Sequence, residues 1–290
     1  MRRSITRIIS FQRFAGQRRL LLLCLILFFF SAVLSFWWFF PADIIQRRLV
    51  QEISQKTGLQ MQGYNASMLF PLGLEFGLFV SSGSTELADV HLENLQVTPL
   101  WRDLFSDDPA AHIEGEIGKG IFSLNASQSG ELDLVFSAIE LLPLQKRDND
   151  YRVAGFMTGQ FNAEQVTANE GRGDFSFQIE QTVLLGLERI GLPGRFEVGM
   201  LQVAGKFNQR RVSLERIIST DGFLELSGGG TLLVGATADQ TRLNLNVRIR
   251  PNRTTPDSLR DLIQLTGVRP TADGSYLLRI GGTLNKPVVR

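Results

Sequence analysis

The chain has two histidines, each two residues before a glutamate: His91-Leu92-Glu93 and His112-Ile113-Glu114. On a strand, residues i and i+2 share a face, so each pair could offer two ligands to a metal such as zinc. There is no third histidine, and the one cysteine, Cys24, lies in an apolar N-terminal run. A zinc site would need several carboxylates as well, so surface positions on half-buried strands are the better reading. Ser227-Gly228-Gly229-Gly230-Thr231 shares only its glycines with a phosphate cradle. No lysine follows, and the run joins strands instead of opening a helix, so it reads as a turn or bulge. No glycine precedes Ser227 at the spacing of a nucleophile elbow. Arg172-Gly173-Asp174 spells an adhesion tripeptide, but a glycine turn before Phe175 accounts for it. The residues therefore assign no catalytic, metal or cofactor site, and the chain reads as a non-enzyme.

The next question is what holds such a chain in place. Residues 20–40 are 21 consecutive uncharged positions in which Ser31 and Ser35 are the only polar side chains. As a helix the run would reach roughly 31 Å, matching a hydrocarbon core of about 30 Å. Leu20, Phe28, Trp37, Trp38 and Phe40 are its expected anchor residues, with both tryptophans at the far headgroup layer. Residues 1–19 carry Arg2, Arg3, Arg7, Arg13, Arg18 and Arg19 and no acid, which sets that tail on the cytoplasmic side. A cleavable signal peptide would have a shorter apolar core and small residues before the cut, whereas this run ends Phe36-Trp37-Trp38-Phe39-Phe40-Pro41. The expectation is a single span with the rest of the chain outside the inner membrane.

After Pro41 there are 24 basic and 29 acidic residues, so the exported part is mildly acidic and ill-suited to nucleic acid. It has no cysteine and so no internal disulfide, which favours a bacterial envelope over an animal extracellular space. Residues 41–58 read as a short amphipathic helix with Ile45, Leu49 and Ile53 on one face, lying on the membrane or plugging one end of a β domain.

From residue 59 to 290 the period becomes two. Leu74, Phe76 and Leu78 alternate with Gly73, Glu75 and Gly77, and a phase slip near Asn94 suggests a bulge. Leu132, Leu134 and Phe136 alternate with Asp133 and Val135; Phe175, Phe177 and Ile179 with Ser176 and Gln178; Leu243, Leu245 and Val247 with Asn244 and Asn246. Gln128-Ser129-Gly130, Asn208-Gln209-Arg210, Asp221-Gly222 and Asp273-Gly274 read as hairpin turns. Thr255-Pro256-Asp257 opens a short helix with Leu259, Leu262 and Ile263 on one side. About a dozen strands without alternating helices argue for an antiparallel, mainly β fold, leaving barrel, sandwich and open curved sheet undecided. The twelve apolar residues just named on the four alternating strands form either a core or an apolar face for acyl chains.

Several segments resemble a known family. These are the span followed by Pro-Ala-Asp, the helix ending Lys56-Thr57-Gly58, and Leu95-Gln96-Val97-Thr98-Pro99-Leu100. Gly155, Gly159, the turn Leu192-Pro193-Gly194, and the close from Asp273-Gly274-Ser275-Tyr276 through Gly281-Gly282-Thr283-Leu284-Asn285-Lys286-Pro287 continue the pattern. Their order resembles the GspN family of type II secretion accessory proteins, in its delta-proteobacterial and spirochaete form, and the closing strand is similar to AsmA-like envelope proteins. The GspN resemblance implies a single-pass inner-membrane protein with a periplasmic β domain that works by contact with other secretion subunits. The AsmA-like one implies an elongated, gutter-shaped antiparallel sheet with short capping helices, an apolar concave face and lipid as a partner. Neither brings catalytic residues or a cofactor.

Overall fold

The computed structural model describes residues 60–69, 73–82, 89–100, 102–103, 106–146, 151–166, 170–190, 194–235, 237, 239–265 and 268–289, together with 24–31, 35, 44, 47–48, 50–51 and 54–55. The chain divides into two units, Met1–Arg47 and Arg48–Arg290. In the first, residues 24–31 are helical and exposed. Most of the span expected over 20–40, including Leu20, Trp37, Trp38 and Phe40, lies outside the described residues, as do Arg2, Arg3, Arg7, Arg13, Arg18 and Arg19. Among the described residues no helix is long and apolar enough to cross a membrane. Ile45, Leu49 and Ile53 of the expected amphipathic helix also lie outside them.

The second unit is one antiparallel sheet of fourteen strands, paired strictly in chain order. These are β1 (Gln60–Leu69), β2 (Gly73–Ser82), β3 (Val90–Pro99), β4 (Ala110–Ile117), β5 (Gly120–Ser127), β6 (Leu132–Glu140) and β7 (Arg152–Glu164). They continue as β8 (Arg172–Leu185), β9 (Arg195–Asn208), β10 (Arg211–Thr220), β11 (Leu224–Leu233), β12 (Arg242–Pro251), β13 (Tyr276–Thr283) and β14 (Pro287–Val289). Because β1 and β14 do not pair, the sheet is open, which excludes the closed barrel and the sandwich. The turns follow their chemistry. Gln209 and Asp221 take left-handed φ of 53° and 64° in their hairpins, and Gly274 one of 78°.

The expected strict alternation breaks where the sheet twists. Asn65 and Asn94 have φ of 56° and 49°, the left-handed region that asparagine tolerates better than most residues. Both stand beside Gly77 of β2, and the β3–β4 register shifts between Glu93 and Gln96. The slip foreseen near Asn94 is thus one strand of a crease that crosses β1 to β3. Beyond it the phase inverts. Phe79, expected opposite Phe76, is 5% exposed and meets Phe76 edge-on at 5.9 Å. Leu78 instead pairs with the exposed Tyr64 and Glu93. β6 repeats the event: Ala138 (φ 54°) is exposed and Ile139 takes the buried position. In β10, Glu215 and Arg216 form the bulge, both exposed, facing the glycine run of β11. That run is therefore not a turn; it lies inside a strand, opposite a bulge.

Two clusters anchor the sheet. Phe76, Phe79 and Leu95 form one, with Val50 of the 41–58 segment packed on it. Phe196, Val198, Leu224, Leu259 and Ile263 form the other. Leu259 and Ile263 come from helix α1 (Asp257–Leu265), the cap foreseen in the sequence. Its entry is held by Thr255, whose hydroxyl donates to the Phe223 carbonyl at 2.5 Å and accepts from the Asn252 amide at 2.8 Å. Burying these side chains supplies roughly 1.5–3 kcal/mol each. Ser219, 1% exposed, donates to the Val198 carbonyl at 2.8 Å, so its buried hydroxyl costs little.

Candidate functional site: an apolar row across the sheet

The phase inversions keep one face of the sheet apolar across all fourteen strands. Read through the cross-strand partners, one row runs Met68, Leu74, Val97, Ile113, Leu124, Leu134, Phe161, Phe175, Gly205, Leu214, Gly230, Leu245, Ile280, Val289. Every member is apolar or glycine. At about 4.8 Å per strand the row is roughly 60 Å long. A second row on the same face joins Phe122, Phe136, Gly159, Phe177, Val203, Ile217, Gly228, Val247 and Leu278.

These rows bring most of the sequence-expected face residues together. Leu74 and Phe76 belong to the first cluster, whereas Leu78 sits out of phase with them. Leu134, Phe175 and Leu245 lie in the first row, and Phe136, Phe177 and Val247 in the second. Leu132 and Leu243 lie one pleat away on the same side, and Ile179 (7% exposed) is buried. Sequence reading missed Phe161, Phe207, Leu124 and Leu214. Phe161 and Phe207 escaped because β7 and β9 are interrupted by glycines that hide the period.

Away from the two clusters these side chains are half-buried. On β12 the contrast is sharp: Leu243, Leu245, Val247 and Ile249 are half-buried and Arg242, Asn244, Asn246, Arg248 and Arg250 exposed. The glycines in the rows let neighbouring side chains lie close over the backbone: a Cβ at Gly205 would stand 2.8 Å from the Phe175 ring.

The opposite face is polar. Its matching row runs Thr98, His112, Asn125, Asp133, Asn162, Asp174, Lys206, Ser213, Thr231, Asn244. Asn125, Asp133, Asn162, Asp174, Lys206 and Ser213 line an open cavity of about 890 Å³. Lys206 lies 2.9 Å from Glu215, and that hydrogen bond and charge, with Asp174 further off, hold its ammonium above the usual lysine value. His112 Nδ1 is 2.7 Å from Asn125 Oδ1 and its Nε2 3.5 Å from Glu114. It pairs with Thr98, seven residues along β3 from His91, so the two histidines are roughly 20 Å apart and share no site. Among the described residues no group of three His, Cys, Asp or Glu could hold a metal ion.

The chain matches no family model, no curated protein and no solved structure.

Proposed function

We propose that this protein is a membrane-tethered component of a bacterial envelope whose open sheet accommodates acyl chains on its apolar face. One observation carries the reading: an unbroken row of apolar residues and glycines across fourteen strands. Soluble domains rarely leave so long an apolar surface without an occupant. The tether rests on the arginine-rich tail and the apolar run at 20–40, within which Leu25 to Phe30 are all strongly exposed, Phe28 at 74%. Positive-inside charge would place the tail in the cytoplasm and the sheet in the periplasm. The arrangement calls for no enzymatic step. The test is native mass spectrometry of the purified full chain. Bound lipid is expected, and Leu245→Asp together with Phe175→Asp should strip most of it. A lipid-free wild-type protein would end the proposal.

A second reading is the accessory role in type II secretion that the GspN resemblance implies. The open edges favour it: β1 offers a ten-residue strand with one neighbour, a ready template for strand addition by another subunit. Comparing the secreted proteins of a deletion strain with its parent tests this. Unchanged secretion would remove it.

A further inference from the structure

The polar face is electrically divided. Residues 59–241 hold 12 basic and 24 acidic side chains, and residues 242–290 hold nine basic and three acidic. The pairing turns this sequence imbalance into a spatial one. Arg216, Arg242, Arg248, Arg250 and Arg279 are exposed on the polar side of β10, β12 and β13. None is ion-paired with a carboxylate among the described residues; Arg279 donates to Asn246 Oδ1 at 3.3 Å. Glu225 stands across from Arg250, and Glu215 is already engaged by Lys206. Asn246 pairs with both Gly229 and Arg279, and Gly229 faces the bulge carrying Arg216, so the β11 position between Arg216 and Asn246 lacks a side chain. The acidic residues Glu114 and Asp133 lie on β4 and β6, at least four strand spacings, roughly 19 Å, from β10, and Asp174 on β8 stands beside Lys206.

We propose that this arginine platform docks on the headgroups of an anionic phospholipid bilayer. The arginines spread in the plane of the sheet instead of converging on a point, which suits an array of phosphates and not a single bound anion. Guanidinium groups are weakly hydrated and match phosphate oxygens two at a time, so they give up water readily at such a surface. The acidic strands are repelled by the same surface, so contact orients the sheet with its C-terminal end toward the bilayer. This surface lies opposite the apolar rows and does not depend on whether they hold acyl chains.

The test uses the full chain carried in phosphatidylcholine nanodiscs and mixed with acceptor vesicles, read by co-flotation. Vesicles containing phosphatidylglycerol should recover at least about tenfold more protein than pure phosphatidylcholine ones at low salt, and high salt should erase the difference. Arg248→Glu with Arg250→Glu should abolish recovery, and Arg248→Lys with Arg250→Lys should keep most of it. Both positions are exposed and without an ion pair among the described residues, so circular dichroism should be unchanged. Equal recovery on both vesicle types, or full recovery by the glutamate variant, would overturn the proposal. So would complete competition by inorganic phosphate, which marks a pocket for a free anion, or a salt-sensitive dimer of the chain that hides the arginines from vesicles.

Discussion

Phe161 and Phe207 stack nearly parallel, with ring centroids 5.2 Å apart and planes 7° from one another, although β8 runs between their strands. Gly173 makes this possible. A Cβ there would stand 2.7 Å from the Phe207 ring and press on the Asn162 carbonyl. The glycine of the Arg-Gly-Asp tripeptide is therefore the floor of an aromatic stack. Gly173→Ala should cost about 1–3 kcal/mol through overpacking, read by chemical unfolding of the full chain. An unchanged midpoint would mean that the rings do not need the space.

Phe76 is fully buried, touching Phe79 edge-on within the cluster that includes Leu95. Phe76→Ala should lose about 3–5 kcal/mol, far more than truncating exposed Ile121 or Val135 on the other face. Thermal unfolding of the three variants side by side checks the ranking. Equal losses would contradict the assignment of faces.

The crease at Asn65, Gly77 and Asn94 separates the expected effects of two substitutions. Asn94 sits at φ 49°, where a β-branched residue is strained. Asn94→Val should destabilise by roughly 1–2 kcal/mol, whereas Asn94→Gly should be near neutral. A valine variant as stable as the glycine one would place Asn94 in ordinary strand geometry.

This crease also marks the limit of what the sequence reveals. The alternation of Leu243 to Ile249 and the capped start of α1 at Thr255 were legible, because period and cap chemistry are local. The inversion at Gly77 was not, since Phe76 and Phe79 share a face only after a twist that three neighbouring strands create together. β1 fell within the region of period two, but its face was not legible, for a different reason. Gln60-Met61-Gln62-Gly63-Tyr64-Asn65-Ala66 carries little apolar signal and gains its place by pairing with β2. The apolar rows were half-visible: strands read singly gave members such as Leu134, Phe175 and Leu245, but only cross-strand register lines them up.

Two turn carboxylates give a pH signature. Asp273 accepts hydrogen bonds from the hydroxyls of Thr271 and Ser275 and from the Ser275 amide, which hold its pKa far below the usual aspartate range. Asp108 accepts from the hydroxyl and amide of Ser129 and is likewise lowered. A folded pKa below the unfolded one means that the stabilisation is complete above the ordinary aspartate value, about 3.9, and fades as pH falls through the depressed one. The amides of Ser129 and Ser275 should thus stay protected from hydrogen exchange past the ordinary aspartate range and open only in stronger acid. Asp273→Asn should erase that dependence at Ser275. Loss of protection centred on the ordinary value would show that the turns do not bind the charged carboxylates.

Strict chain-order pairing has a consequence for how such a molecule can change. Each strand hydrogen-bonds in the ladder only to its sequence neighbours, so hairpins added or deleted away from the packed clusters leave the pairing of the remainder intact. Lineages could lengthen or shorten the body one hairpin at a time, and a nascent chain could assemble progressively as it emerges, with no far-off segment to await.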